Sequence, residues 1–176
     1  SAISTPINVG NYSVKATSAG NGNYSSGSKC VTHTITKGTP TISLSAKTTT
    51  YTGSGIAANA ATAKNPNGGA VTLTYTYTYY TNNACTTGAT TTAPINAGTY
   101  YVKATSAATS NLNAGASGCI THTITKKADT VSITARSASY TGSAIGANTA
   151  SATSGSGITY TYYSTTNCSG SAISTP

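Results

Sequence analysis

The chain contains no methionine, tryptophan or phenylalanine, and its only acidic residue is Asp129, with no glutamate or glutamine present. Glycosidase-type acid–base catalysis needs two carboxylates, and calcium sites usually draw on several, so this composition disfavours both. No apolar run approaches the roughly 18 residues of a membrane-spanning helix, and we expect no membrane insertion. Charged residues make up only 6% of the chain. The alternation of β-branched and tyrosine residues with small polar ones favours strands over disorder.

The formal net charge of +8 raises nucleic acid or an anionic polymer as a partner. The nine lysine and arginine residues are scattered, however, and only Lys126 and Lys127 are adjacent. No basic stripe is interleaved with aromatic residues, as nucleic-acid-binding surfaces require. We therefore expect a solvated basic surface and no nucleic-acid partner.

Catalytic and metal-binding constellations are also missing from the sequence. His33 and His122 occupy equivalent positions about one domain length apart, so they do not share a metal within one chain. Neither has the third orienting group or the oxyanion site that a serine or cysteine nucleophile would need. We expect no enzymatic activity, no cofactor and no metal, with each histidine packed on its own strand.

The sequence is internally repeated, which is its most informative property. The motif I-N-x-G-x-Y-x-V-K-A-T-S-A, the segment T-H-T-I-T-K and the tetrapeptide Y-T-G-S each occur twice, about 89 residues apart. The hexapeptide S-A-I-S-T-P occurs at 1–6 and again at 171–176. We interpret the chain as one two-domain superrepeat of a longer array. Residues 38–126 are expected to be a complete domain, residues 1–37 the C-terminal part of another, and residues 127–176 the N-terminal part of the next.

Period-2 alternation of apolar and polar residues indicates strands throughout, for example at 41–46, 71–79 and 100–105. No segment shows sustained helical spacing with caps. Short strands separated by turn residues are typical of an antiparallel β-sandwich, here with about seven strands per domain. The predicted fold class is therefore all-β, with tandem sandwich domains.

The segment 96–104 resembles the F strand of immunoglobulin domains, D-x-G-x-Y-x-C-x-A, and residues 8–16 repeat it. The resemblance implies that Tyr100 and Tyr12 are tyrosine-corner residues, whose hydroxyls tie down the preceding turn. Asparagine replaces the usual aspartate in both copies. Val102 and Val14 replace the inter-sheet cysteine, so the immunoglobulin-like fold would hold without the antibody disulfide.

Over nearly its whole length the chain also resembles the MBG-type immunoglobulin-like repeats of bacterial secreted and surface proteins. The matching features are Tyr51-Thr52-Gly53, a tyrosine-rich strand, Ala93-Pro94 through Ala104, and the ending Thr123-Ile124-Thr125-Lys126. The resemblance implies an extracellular or cell-surface location in a long array. It carries no information on a ligand, and the cysteines depart from the commonest members.

The four cysteines fit a secreted, oxidising setting. We predict a disulfide between Cys85 and Cys119, which are 34 positions apart and lie near predicted strand ends. Cys168 and Cys30 are their repeat equivalents, and we expect each to bond its counterpart in an adjacent copy. The adjacent copy is either part of one continuous polypeptide or a separate subunit that exchanges strands, as in donor-strand complementation.

Two functions are compatible with these sequence features. The first is a structural repeat of an extracellular fibre, filament or stalk of end-to-end domains, whose partners are adjacent copies of itself. The second is an adhesin repeat that binds glycan or anionic polymer. Inward tyrosines would fill a core that lacks larger apolar residues, whereas the outward Tyr80, Tyr101 and Tyr163 are the candidates for glycan contact.

Overall fold

A computed structural model describes residues 3–173 of the chain, which divides into two compact units between Lys126 and Lys127. The domain boundary expected at 37–38 lies inside the first unit. The described residues form strands and no helix, which confirms the all-β prediction, and no helix is present that could cross a membrane. The strands are β1 (Gly10–Ser18), β2 (Gly27–Ile35), β3 (Thr41–Ser43), β4 (Lys47–Thr50), β5 (Thr62–Lys64), β6 (Ala70–Val71), β7 (Thr76–Tyr80), β8 (Gly98–Ser106), β9 (Gly115–Ala116), β10 (Ile120–Thr125), β11 (Val131–Ser132) and β12 (Ser151–Ala152).

The first two strands form an antiparallel hairpin, called here the leading hairpin (residues 10–35). Tyr12 lies opposite His33 and Val14 lies opposite Val31, so these four side chains share one face. That face is largely open, because Val14 and Val31 are 51% and 48% exposed.

The central segment (residues 38–126) contains eight of the strands, arranged in two sheets. One sheet has the order β3-β5-β6, and the other has the order β4-β10-β8-β7, with β9 also paired to β8. All pairings are antiparallel except β4 with β10, which run parallel. Parallel pairing between strands so distant in sequence leaves no local signal, so the expectation of a purely antiparallel sheet was wrong at this pair.

The predicted single strand over 71–79 is in fact two strands that belong to different sheets. β6 pairs with β5 at Val71, whereas β7 begins at Thr76 and pairs with β8. Leu73 and Tyr75, which lie between them, pack against the core as the chain passes from one sheet to the other. The alternation of side chains continues through this crossing, which is why period-2 patterning alone cannot detect it.

The two sheets of the central segment meet in a shared core, an arrangement consistent with a β-sandwich. Ile42 and Ala63 come from the smaller sheet and Ala104 from the larger one. Val102 and Ile124 of the larger sheet are 1% and 2% exposed. Burying each of these aliphatic side chains contributes about 1.5–3 kcal/mol, which offsets part of the cost of ordering so polar a chain.

The second unit is called here the trailing segment (residues 127–173). Its ladder is short, with β11 paired to β12, and an isolated bridge joins Tyr162 to Ile173. Its apolar residues are poorly covered, since Val131 is 59% and Ile133 is 54% exposed.

Candidate functional site

The Cys85–Cys119 disulfide is present in the central segment, as predicted, with the two Cα atoms 5.9 Å apart. It joins the turn after β7 to the residue that precedes β10. Cys85 is buried and has a positive φ of 52°, which is unusual for a residue other than glycine. The side-chain oxygen of Asn82 accepts hydrogen bonds from the amides of Thr86 and Thr87, which holds the turn in this conformation.

Cys30 and Cys168 are free thiols and both are exposed. They are not bonded to each other within the chain. Cys168 has a positive φ of 54°, and it therefore shares the backbone conformation of its repeat equivalent, Cys85. The expected bonding of Cys30 and Cys168 to adjacent copies stays a prediction.

The two predicted corner tyrosines make the same hydrogen bond. The hydroxyl of Tyr100 donates to the carbonyl oxygen of Asn96 at 3.0 Å, and that of Tyr12 donates to the carbonyl oxygen of Asn8 at 2.9 Å. Each bond spans four residues and ties the turn before the strand to the strand itself. The asparagines that replace the usual aspartate contribute only backbone oxygens here, so the substitution leaves the contact intact.

A second set of tyrosine hydroxyls accepts hydrogen bonds from backbone amides, which the sequence did not reveal. The hydroxyl of Tyr79 accepts from the amide of Ala58 at 2.9 Å, and that of Tyr77 accepts from the amide of Ala61 at 2.8 Å. These bonds give the loop before β5 a partner for its partly buried amides. Tyrosine instead of phenylalanine in this core therefore has a structural explanation.

His122 is completely buried on β10, with its ring 5.7 Å from the ring of Tyr79 in an edge-on contact. Neither ring nitrogen has a hydrogen-bond partner among the described residues. Burial lowers the pKa of His122, and the nearby Lys47 ammonium lowers it further, while the backbone of Ile56 opposes the shift. His122 is thus a buried core residue, in line with the expectation that it packs on its strand.

Polar contacts join residues that flank the leading hairpin to the central segment. The side chain of Asn111 accepts a hydrogen bond from the Val9 amide at 2.9 Å and donates one to the Asn8 side chain at 2.8 Å. The Lys37 ammonium donates to the carbonyl oxygen of Thr109 at 2.7 Å. We call this set of contacts the joint, and it was not predictable because Asn111 is one of several asparagines in polar loops.

The structure brings together two of the three tyrosines proposed to contact glycan. Tyr80 on β7 lies directly opposite Tyr101 on β8, and both are half-buried. An open cavity of about 330 Å³ lies beside Tyr80 and is also lined by Pro94 and Tyr100. Tyr163 is half-buried in the trailing segment. Within the described residues no group of three or more histidine, cysteine or acidic side chains is placed to hold a metal ion.

Comparison of the chain with protein-family models, curated proteins and solved structures finds no match in any of the three. The resemblance to MBG-type repeats therefore stays a prediction that rests on the sequence motifs alone.

Proposed function

We propose that this chain is a structural repeat unit of an extracellular fibre, filament or surface stalk, built from end-to-end immunoglobulin-like domains and stabilised by disulfides. It has no catalytic role in this proposal. Adjacent copies of the repeat are its partners.

The joint is the observation that carries the proposal. Three hydrogen bonds connect Asn8, Val9 and Lys37, which flank the leading hairpin, to the loop at 109–111 of the central segment. A bonded joint limits bending between successive repeats, which is what a fibre needs.

The disulfide supports the extracellular part of the proposal. A disulfide persists in an oxidising environment and stabilises a small domain by constraining its unfolded chain. Resistance to unfolding is useful in a fibre that is exposed outside the cell. The immunoglobulin-like topology belongs to the proposal as well, and it is supported by the two facing sheets and by the tyrosine hydrogen bonds of Tyr100 and Tyr12.

The adhesin alternative is favoured by one observation, the cross-strand pair of Tyr80 and Tyr101 beside an open cavity. Two aromatic rings side by side provide a surface on which a sugar ring can stack. A glycan array separates the two functions, because binding that is lost in Tyr80→Ala and Tyr101→Ala would favour the adhesin. If the folded chain binds no glycan on the array, the structural fibre remains the favoured function.

Negative-stain imaging of the purified chain under oxidising conditions tests the proposed function. We expect uniform filaments with a beaded, domain-sized repeat. A population that consists only of isolated monomers at every concentration and redox condition would refute the fibre.

A further inference from the structure

The trailing segment contains one half of a sandwich, and its inner face is uncovered. Val131 is 59% exposed, whereas its equivalent in the central segment, Ile42, is 7% exposed. Ile42 is covered there by Ala104 of β8, with which it forms a core cluster. The described part of the trailing segment has no strand that corresponds to β8 or β10. An apolar face of this kind is typical of an interaction surface.

The leading hairpin corresponds, in sequence and in strand register, to the half of the sandwich that the trailing segment lacks. Tyr12 lies opposite His33 as Tyr100 lies opposite His122. Its inner face is also uncovered, since Val14 is 51% exposed while its equivalent, Val102, is 1% exposed. The two open faces therefore correspond to the two sides of the core that is closed in the central segment.

Part of the trailing segment already has the local contacts of a completed domain. Three of its hydrogen bonds repeat bonds of the central segment, with a tyrosine hydroxyl, an asparagine amide and a basic side chain each bound to the equivalent backbone group. The Ala147 amide donates to the Tyr162 hydroxyl, as the Ala58 amide donates to the Tyr79 hydroxyl. The Asn148 side chain donates to the Thr134 carbonyl oxygen, as that of Asn59 donates to the Ser45 carbonyl oxygen. The Arg136 side chain donates to the Gly146 carbonyl oxygen, as that of Lys47 donates to the Ala57 carbonyl oxygen. A surface that is held in this way can bind a partner with little rearrangement.

A cavity of about 380 Å³ opens in the trailing segment, and its lining includes Arg136, Ile145 and Tyr162. In the central segment the equivalents of these three residues surround the buried ring of His122: Lys47, Ile56 and Tyr79. The cavity therefore occupies the position that a histidine side chain fills in the completed domain. The repeat equivalent of His122 is His33 of the leading hairpin, which is exposed.

A complementary cavity of about 310 Å³ lies against the leading hairpin. Tyr12, Val14 and His33 of the hairpin line it together with Pro6 of the preceding segment. In the central segment Tyr79 lies opposite Val102 and against His122, the equivalents of Val14 and His33. A tyrosine therefore fits this cavity, and Tyr162 is the repeat equivalent of Tyr79.

On the basis of the fibre role proposed above, we infer that the open face of the trailing segment binds the leading hairpin of a second copy, with His33 in the cavity beside Tyr162 and Cys168 bonded to Cys30. The register follows from the central segment. Tyr162 lies opposite Val14, as Tyr79 lies opposite Val102. His33 lies beside Arg136 in parallel pairing, as His122 lies beside Lys47.

Formation of the bond between copies requires an oxidant of thiols, and we assign that role to a compound that itself contains a disulfide. The Cys168 thiolate attacks the oxidant disulfide, forms a mixed disulfide and releases one thiol. The Cys30 thiolate then attacks the Cys168 sulfur, which closes the Cys168–Cys30 bond and releases the second thiol. One oxidant disulfide is reduced to two thiols for each bond formed, and the two protein thiols lose their protons.

The test uses the full chain prepared in two isotopic forms, mixed with the thiols reduced and then exposed to oxidised glutathione. Mass spectrometry of the digested, non-reduced product should show Cys30–Cys168 peptide pairs that combine one heavy and one light partner. Cys85–Cys119 pairs should carry a single label. Cys30–Cys168 pairs with one label only would mean closure within a chain and would overturn the inference.

Variants separate docking from random oxidation. Cys30→Ser mixed with Cys168→Ser should give a single disulfide-linked heterodimer and no longer species, whereas the parent chain gives a ladder. Val14→Asp places a charge on the inner face of the hairpin and should abolish the ladder, while Thr32→Asp on the outward face of the same hairpin should leave it. An intact Cys85–Cys119 bond shows that each variant has folded. A ladder that survives in Val14→Asp would overturn the docking.

The same samples distinguish failure of this inference from failure of the fibre. Filaments that lack the mixed-label Cys30–Cys168 peptide would overturn the docking and leave the fibre in place. Mixed-label peptides in closed dimers without filaments would support the docking and refute the fibre.

Discussion

Cys85 and Cys168 have nearly the same left-handed backbone conformation, with φ values of 52° and 54°, although only Cys85 is bonded. This conformation is disfavoured for cysteine, so it persists only where the surrounding turn imposes it. The trailing segment therefore holds Cys168 in the geometry of a disulfide partner before any partner is present. This relationship links the disulfide of the central segment to the assembly proposed between copies.

Loss of the Cys85–Cys119 bond should strongly destabilise the central segment. In the chain-entropy model, a crosslink between residues 34 positions apart contributes about 3–4 kcal/mol to the free energy of unfolding. We expect Cys85→Ser with Cys119→Ser to lose about that amount in urea unfolding. Cys30→Ser, which removes an exposed thiol, is the matched control and should leave the midpoint unchanged. Equal midpoints for the two variants would contradict the assignment.

The central segment should lose stability in mild acid because of His122. The pKa of His122 is lowered in the folded state, so below about pH 6.5 the unfolded chain binds a proton at this residue more readily than the folded chain does. The free energy of unfolding should therefore fall as the pH falls below that value and should be unaffected by this residue above it. His122→Leu should flatten the slope between pH 6.5 and 5, measured by urea unfolding at each pH. A slope identical to that of the parent chain would exclude His122 as its cause.

Removal of the Tyr100 hydroxyl should weaken the turn before β8. Tyr100→Phe keeps the ring and loses the hydrogen bond to the Asn96 carbonyl, which is 3.0 Å long. We expect a loss of about 1 kcal/mol in the free energy of unfolding. Tyr101→Phe on the outward position of the same strand is the control, with an expected change of a few tenths of a kcal/mol at most. Indistinguishable losses would argue against the corner contact.

The joint should depend on Asn111. Asn111→Ala removes both side-chain hydrogen bonds to Asn8 and Val9, so the Val9 amide should exchange with solvent faster in hydrogen-exchange NMR. The core amides of Val102 and Ile124 should keep the parent rates, because the joint is outside the core. Asn113→Ala, which loses a bond to Thr39 inside the central segment, is the matched control. Unchanged exchange at Val9 in Asn111→Ala would show that the joint is not a constraint.

The repeat allowed much of this structure to be predicted. The spacing of Cys85 and Cys119 sufficed for the disulfide, and period-2 alternation sufficed for the all-β class. The resemblance of the segment 96–104 to the immunoglobulin F strand also predicted the Tyr100 hydroxyl contact.

Features that depend on long-range geometry were not predictable. The segment 71–79 keeps its alternation while it passes between two sheets, so its division could not be read from side-chain pattern. The parallel pairing of β4 with β10 joins residues about 75 positions apart without any shared motif. Asn111 is one of several asparagines in polar loops, and only the folded chain distinguishes the one that bonds to Val9.

The axial repeat of averaged filament images tests the central claim most directly. A nine-residue strand, the longest in the structure, spans about 30 Å, so a copy that contributes two stacked domains with their linkers should rise on the order of 60–90 Å along the filament. We predict an axial repeat inside that range, with two beads per repeat, in filaments that form only when thiols can oxidise. An axial repeat well outside that range, or assemblies without a linear axis, would contradict the account.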